Sequence, residues 1–223
     1  MLRHLTAEAL GTGILMAVVV GSTLMGTRMT DDPAMGLLVT SLCAGLALFV
    51  TITVFGPVSG GHLNPAVTLA FWLRGEIPLP AALGFVLAQV LGAGLGLALA
   101  HVMFDLPVVQ VATTVRNLPS LWLSEVIATA GLILVILGGL AANGPVPALV
   151  GAYITAGYWF TSSMSFANPA MTLARILTDS ATGLRAADLP AYLVAQFAGA
   201  ILGLALGSWL FAKEKPPGLA DGG

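Results

Sequence analysis

The spacing of charged residues is the feature that most constrains how this chain of 223 residues can fold. Runs without Asp, Glu, Lys or Arg fill residues 9–27, 33–73, 77–104, 126–174 and 189–212. A helix needs about 20 apolar residues to cross the hydrocarbon core of a bilayer, and all of these runs except the first exceed that length. The spacing therefore predicts a polytopic α-helical membrane protein.

The composition excludes several other classes of protein. Charged residues make up 8% of the chain, whereas a soluble domain carries about 25%. A nucleic-acid binder and a soluble enzyme are therefore excluded. The single cysteine, Cys43, allows no internal disulfide. Three histidines and one cysteine supply no nucleophile–base pair or metal cluster, so we expect no enzymatic activity, no metal and no cofactor.

Clusters of glycine and proline divide the two longest runs, at residues 56–61 and 143–147. The division leaves six full spans and two short segments, each about half a membrane long at ~1.5 Å per residue. The spans are predicted near 7–27, 34–55, 79–104, 120–141, 148–165 and 190–211, and the short segments at 64–74 and 168–178. The tail at 213–223 is predicted to be disordered.

An internal repeat determines the predicted topology. The sequence NPAVTLA at 64–70 recurs as NPAMTLA at 168–174, and residues 88–100 match 195–207 at nine of thirteen positions. Each repeat, 1–106 and 118–212, contains three spans and one short segment. Three is an odd number, so the second repeat enters the membrane from the opposite face. We expect one all-α membrane domain with an inverted-topology repeat and a site at the midplane.

Each short segment begins with the sequence Asn-Pro-Ala. A residue before proline avoids helical geometry, and proline suits the first turn of a helix. Asn64 and Asn168 are therefore predicted to be the N-caps of two re-entrant half-helices that meet at the membrane centre. Two positive dipole ends and two amide donors at that point favour a passing oxygen acceptor and oppose a cation.

With these residues the sequence resembles the major intrinsic protein family, the aquaporins and aquaglyceroporins, over nearly its whole length. The likeness rests on SGGHLNPAVT at 59–68, on the second Asn-Pro-Ala, and on Glu8, Glu125, Gln89 and Gln196. It implies a homotetramer in which each subunit holds its own pore for water or small neutral solutes. It also implies a multi-pass protein of the plasma (inner) membrane with both termini cytoplasmic, an orientation that the evenly distributed loop charges do not indicate.

The resemblance assigns roles to two groups of residues. Central donors and a ladder of backbone acceptors would line the pore, and this group comprises Asn64, Asn168, Gly60, Gly61, His62, Leu63 and the carbonyls of 163–167. Two glutamates and two glutamines would hold the re-entrant loop of their own half, and this group comprises Glu8, Glu125, Gln89 and Gln196. The alternative use of the two buried acids is a proton relay.

The sequence departs from the family at the constriction of the pore. Most members place an arginine directly after the second Asn-Pro-Ala, where this chain has Met171. An ungapped count along the chain assigns the other three positions to Ala44, Ala156 and Ser165. Two methyl groups, a hydroxyl and a thioether predict a wide, weakly polar and uncharged filter that admits solutes larger than water.

Arg175 lies four residues after Met171 on the same helical face. Two alternatives follow: the guanidinium reaches the outer mouth of the pore, or it pairs with Asp179 at i,i+4. The segment NPAMTLAR at 168–175 also resembles bacterial family members associated with arsenic resistance. That likeness implies arsenous acid or methylated arsenicals among the solutes.

The sequence thus predicts a passive, aquaglyceroporin-like channel for water, glycerol and similar neutral solutes. The alternatives are a proton-coupled secondary transporter, which is also built from inverted repeats and broken helices, a strict water channel, and a junction protein with a closed pore. The expected partners are the lipid bilayer, further copies of the chain and the permeating solutes, and no nucleic acid.

Overall fold

The computed structural model describes residues 1–212, and every regular element in that range is helical. The predicted disorder of 213–223 lies outside the described residues. The helices are α1 (Leu2–Met29), α2 (Pro33–Ser59), α3 (Pro65–Leu73), α4 (Leu79–Met103), α5 (Pro119–Ala141), α6 (Val146–Phe160), α7 (Pro169–Ala174) and α8 (Leu189–Leu210), with 3₁₀ turns at Arg175–Leu177 and Ala186–Asp188.

Five helices are long and apolar enough to cross a membrane, namely α1, α2, α4, α5 and the segment that contains α8. On α4, five leucines spaced four residues apart, from Leu83 to Leu99, are each more than half exposed, as expected for a face in contact with lipid. The shorter α6 completes the six spans, and α3 and α7 are the two half-helices. The predicted all-α membrane fold is confirmed.

Two helix ends differ from the sequence prediction. Helix α2 does not stop near residue 55: it continues through Pro57 to Ser59, where the missing N–H of Pro57 removes one hydrogen bond, to the carbonyl of Thr53, and it ends where Gly60 adopts φ +93°. Helix α6 ends at Phe160 instead of residue 165, because Thr161 is already extended and the chain turns into the second re-entrant loop.

The helices pack in the same way in each half, α1 against α4 and α5 against α8. Gly92 and Gly96 of α4 face the backbone carbonyls of Ala9 and Gly13, and a Cβ at either glycine would overlap those oxygens. In the second half, Gly199 and Gly203 of α8 lie equally close to the backbone of α5. These four glycines let the helix backbones approach closely, which is the usual way to join helices in a membrane.

We predict that Gly96→Ala destabilises the protein by about 1–3 kcal/mol, because the added methyl group overpacks the contact with the Gly13 carbonyl. The matched control is Gly94→Ala on the same helix, where a Cβ meets no atom within 4 Å. Thermal unfolding in detergent checks this: the midpoint should fall for Gly96→Ala and hold for Gly94→Ala. Equal midpoints would contradict the packing argument.

Candidate pore and selectivity site

Two asparagines begin the half-helices and lie together at the interface of the two halves. Asn64 has an extended backbone, and its Oδ1 accepts a hydrogen bond from the Ala66 amide at 2.8 Å. Asn168 caps α7 in the same way, accepting from the Ala170 amide at 3.1 Å. Both amide oxygens are therefore turned back onto their own helices, which leaves the amide nitrogens to point elsewhere.

The amide nitrogens cross to the opposite half of the molecule. Asn64 Nδ2 donates to the Ala167 carbonyl at 2.7 Å, and Asn168 Nδ2 donates to the Leu63 carbonyl at 2.8 Å. A side-chain amide has two N–H groups, so each asparagine keeps one further hydrogen for a molecule in the pore. The same bonds engage the carbonyls of Leu63 and Ala167, which the family resemblance places at the end of each acceptor ladder.

The first re-entrant loop is held by the buried carboxylate of Glu8. It accepts hydrogen bonds from the amides of His62 at 3.0 Å and Leu63 at 2.7 Å, and from the Gln89 side chain at 2.7 Å. Leu63 has φ 50°, in the left-handed region, which costs a non-glycine residue of order 1–3 kcal/mol. The carboxylate pairs with N–H groups that no helix satisfies, and so stabilises this loop at membrane depth.

The second loop repeats this arrangement around Glu125. Its carboxylate accepts from the amides of Phe166 and Ala167, each at 2.9 Å, and from the Gln196 side chain at 2.6 Å. Ala167 also has a left-handed backbone, with φ 44°. These are the hydrogen bonds that the loop-holding interpretation of the glutamates requires, and they occupy the carboxylate oxygens that a proton relay would use.

We predict that Glu125→Ala lowers both thermal stability and water flux, because it leaves the amides of Phe166 and Ala167 buried without an acceptor, at about 1–3 kcal/mol for each group. Glu125→Gln keeps one acceptor oxygen and should give an intermediate result. The control is Glu76→Ala, which removes only a surface ion pair with Arg74. Unfolding midpoints and stopped-flow water flux are the measurements, and wild-type values for Glu125→Ala would contradict the scaffold role.

A cavity of about 520 Å³ runs between the halves, from the end of α2 and the start of α6 past both asparagines to Arg175. We call this cavity the main chamber. It is lined mostly by apolar side chains. It brings together most of the predicted pore and filter residues, namely Gly60, Gly61, His62, Leu63, Asn64, Asn168, Ala44, Ser165 and Met171.

The predicted filter position Ala156 does not reach the chamber. Ala156 is exposed on the opposite side of α6, because the ungapped count assigned the wrong helical face. Beyond Val146 and Pro147 in its first turn, the residues of α6 that line the chamber are spaced four apart, at Val150, Ile154 and Tyr158. That period was visible in the sequence and was the signal that could have identified Tyr158.

Arg175 is buried at the end of the chamber and does not pair with Asp179. Its Nη1 donates to the Thr182 carbonyl at 3.0 Å, and its guanidinium carbon lies 3.8 Å from the centre of the Phe166 ring. Asp179 instead accepts hydrogen bonds from the side chain and backbone of Thr113, which hold the pKa of its carboxyl below the ordinary value. The structure therefore favours the alternative in which Arg175 faces the pore.

Six membrane spans, two half-helices capped by asparagine and a central chamber define a membrane channel built from inverted repeats. Comparison with known proteins identifies the family of this channel. The model of the major intrinsic protein family matches residues 1–165. The chain is 48% identical to aquaglyceroporin AqpS of Rhizobium meliloti (strain 1021) over 215 residues, covering 96% of this chain and 92% of that one. This chain belongs to the major intrinsic protein family.

Two more distant matches agree with this assignment. The chain is 28% identical to aquaporin-4 of Mus musculus over 222 residues, covering 95% of this chain and 68% of that one. The X-ray structure of the aquaglyceroporin from Plasmodium falciparum superposes with a TM-score of 0.75 at 24% identity, covering 95% of this chain and 96% of that one. The latter likeness shows the shared fold.

Proposed function

We propose that this protein is a passive channel for water and small neutral solutes such as glycerol. The observation that carries the proposal is the pair of asparagine amides that lie beside the main chamber with one N–H each left to donate. The high identity to a protein named an aquaglyceroporin supports the same solute class.

The centre of the chamber offers donors and few acceptors. The side-chain oxygens of Asn64 and Asn168 are engaged by their own half-helices, so the amide nitrogens meet a passing solute. A water or hydroxyl oxygen can accept these N–H groups. A cation is repelled by the same donors and by the positive helix ends, and a hydrogen-bonded chain of waters is interrupted there.

The chamber wall around residue 171 supports a range of solutes broader than water alone. Ala44, Ser165 and Met171 line the chamber at this level and carry no charge. Small and flexible side chains leave room for a three-carbon polyol, and we include arsenous acid and methylated arsenicals in the proposed class. A bulkier, charged residue at 171 would narrow the chamber at this level.

A proton-coupled transporter is the second candidate, but the two glutamates that could carry its proton are already engaged in hydrogen bonds. The carboxylates of Glu8 and Glu125 both accept loop amides and a glutamine side chain. Reorganising either carboxylate for proton transfer would break the loop that it holds. These contacts support passive conduction.

We further propose that the chain forms a single domain of two repeats, 1–106 and 118–212, and that it assembles as a homotetramer in the plasma membrane with cytoplasmic termini. The family supports the assembly and the location. The exposed apolar faces of the long helices are suited to contact with lipid or with neighbouring subunits.

We predict that proteoliposomes containing the protein conduct water and glycerol with a flux that rises linearly with the solute gradient and ignores an imposed proton gradient. Stopped-flow light scattering measures both fluxes, and arsenous acid uptake is tested in the same vesicles. Empty vesicles are the control. Saturation of the flux, or its dependence on the proton gradient, would indicate a transporter instead.

Met171→Arg should reduce glycerol flux by about tenfold or more, equivalent to a barrier higher by ~1.4 kcal/mol, and water flux by less. The reason is that a guanidinium would narrow the chamber beside Ala44 and Ser165. Met171→Leu, which conserves side-chain volume, is the matched control and should leave both fluxes unchanged. Unaltered glycerol flux in Met171→Arg would show that residue 171 does not face the permeating solute.

A further inference from the structure

A second cavity of about 520 Å³ lies between the main chamber and the face of the protein opposite the termini. We call this cavity the vestibule. Its walls are more polar at the rim, where Thr27, Thr30, Asp31 and Asp32 lie close to the connection between α1 and α2. Among the described residues that line either cavity, Tyr158 is the one shared by both. The boundary between chamber and vestibule is therefore at Tyr158.

Arg175 lies at this same boundary. It lines the chamber side, while Thr182, whose carbonyl accepts from Arg175 Nη1, lines the vestibule side. Tyr158 and Arg175 both line the chamber. Four residues separate Arg175 from Met171, which places the Cα atom of Arg175 about 6 Å further along the chain axis at ~1.5 Å per residue.

The position of Arg175 is held by the surrounding loop. Its guanidinium is stacked on one side of Phe166, and Arg116 approaches the same ring at 5.0 Å. Arg116 in turn donates to the carbonyls of Gly183 at 2.9 Å and Ala181 at 2.8 Å, which brace the loop that carries Thr182. An arginine clamped in this way can present its charge to the pore without moving.

Two buried polar atoms near this point have no hydrogen-bond partner, and both belong to residues that line the chamber. They are Arg175 Nε and Ser165 Oγ, and the two residues are 2% and 3% exposed. Leaving such groups unpaired costs of order 1–3 kcal/mol each. Both atoms are closed to a water-sized molecule in this conformation, so neighbouring side chains have to shift before an oxygen of a permeating molecule can pair with them. The unpaired donor and hydroxyl thus mark a polar level at the boundary.

We propose that Tyr158 and Arg175 form the selectivity constriction of this channel, one helical turn beyond the position of Met171. This inference rests on the proposed channel function. The level of Ala44, Ser165 and Met171 is then a wide chamber behind the constriction. The positive charge of the guanidinium is the barrier against cations. Among the described residues, no carboxylate forms a salt bridge with Arg175. The phenol ring sets the size limit.

Cysteine accessibility locates the constriction without requiring any flux. The chain has a single cysteine, so Cys43→Ser supplies a cysteine-free background. In that background we compare Thr27→Cys in the vestibule with Met171→Cys in the chamber. A methanethiosulfonate reagent carrying a trimethylammonium group is added outside intact cells. Complete labelling after unfolding in detergent shows that each thiol is present.

The expected result is that Met171→Cys reacts at least about tenfold more slowly than Thr27→Cys, and that adding Tyr158→Ala removes most of the difference. Equal rates in the parent background would overturn the proposal, and so would a slow rate that Tyr158→Ala does not change. If Thr27→Cys reacts only in inside-out vesicles, the comparison is made in those vesicles. Because labelling needs no transport, its outcome is independent of whether glycerol permeates.

A second measurement tests Arg175 by its charge. Arg175→Met should admit Na⁺ into proteoliposomes, whereas Arg175→Lys should retain cation exclusion, because only the first removes the positive charge at the constriction. Arg28→Met, which removes the charge of an exposed arginine that lines neither cavity, should leave Na⁺ exclusion intact. If Arg175→Met excludes Na⁺ as well as the parent does, while still conducting water, the proposed role of Arg175 is wrong.

Discussion

The rest of this structure depends on pairing backbone N–H groups that lie at membrane depth without a helix to satisfy them. Glu8 and Glu125 supply the acceptors, one to each re-entrant loop. A bilayer offers no water to replace them, and a loop with left-handed residues is stable there only if its donors are engaged. The carboxyl oxygens of each glutamate are therefore used to hold the backbone of a loop, and the half-helices begin where these two loops end.

The loops, once held, determine how the two halves meet. Each asparagine uses its oxygen to cap its own half-helix and one N–H to bind the loop of the other half. This reciprocal pair ties the repeats together at the point where solutes pass. The remaining N–H groups have a defined direction because the oxygen and the first hydrogen are already committed. The preference for oxygen acceptors at the centre of the pore thus follows from the hydrogen bonds that join the two halves.

The second polar level of the pore is set by a different part of the chain. Arg175 follows the last turn of α7, and the loop from Thr178 to Leu184 folds back to bind it. With Met171 in the chamber, the arginine comes one helical turn later in the chain and lines the same cavity as Tyr158. The wide chamber and the shifted position of the charge therefore have one cause. A single helical turn separates the uncharged level of Met171 from the cationic level of Arg175.

The sequence by itself determined the membrane fold, the six spans, the two half-helices and the capping roles of Asn64 and Asn168, because charge spacing, proline geometry and the internal repeat are local or periodic signals. It did not determine which side chain of α6 faces the pore, or which partner Arg175 takes. A count along the chain carries no information on helix rotation, so it selected Ala156 where packing presents Tyr158. The contact of Arg175 with Thr182 depends on a loop that returns to the pore, and only the tertiary structure decides where such a loop comes to rest.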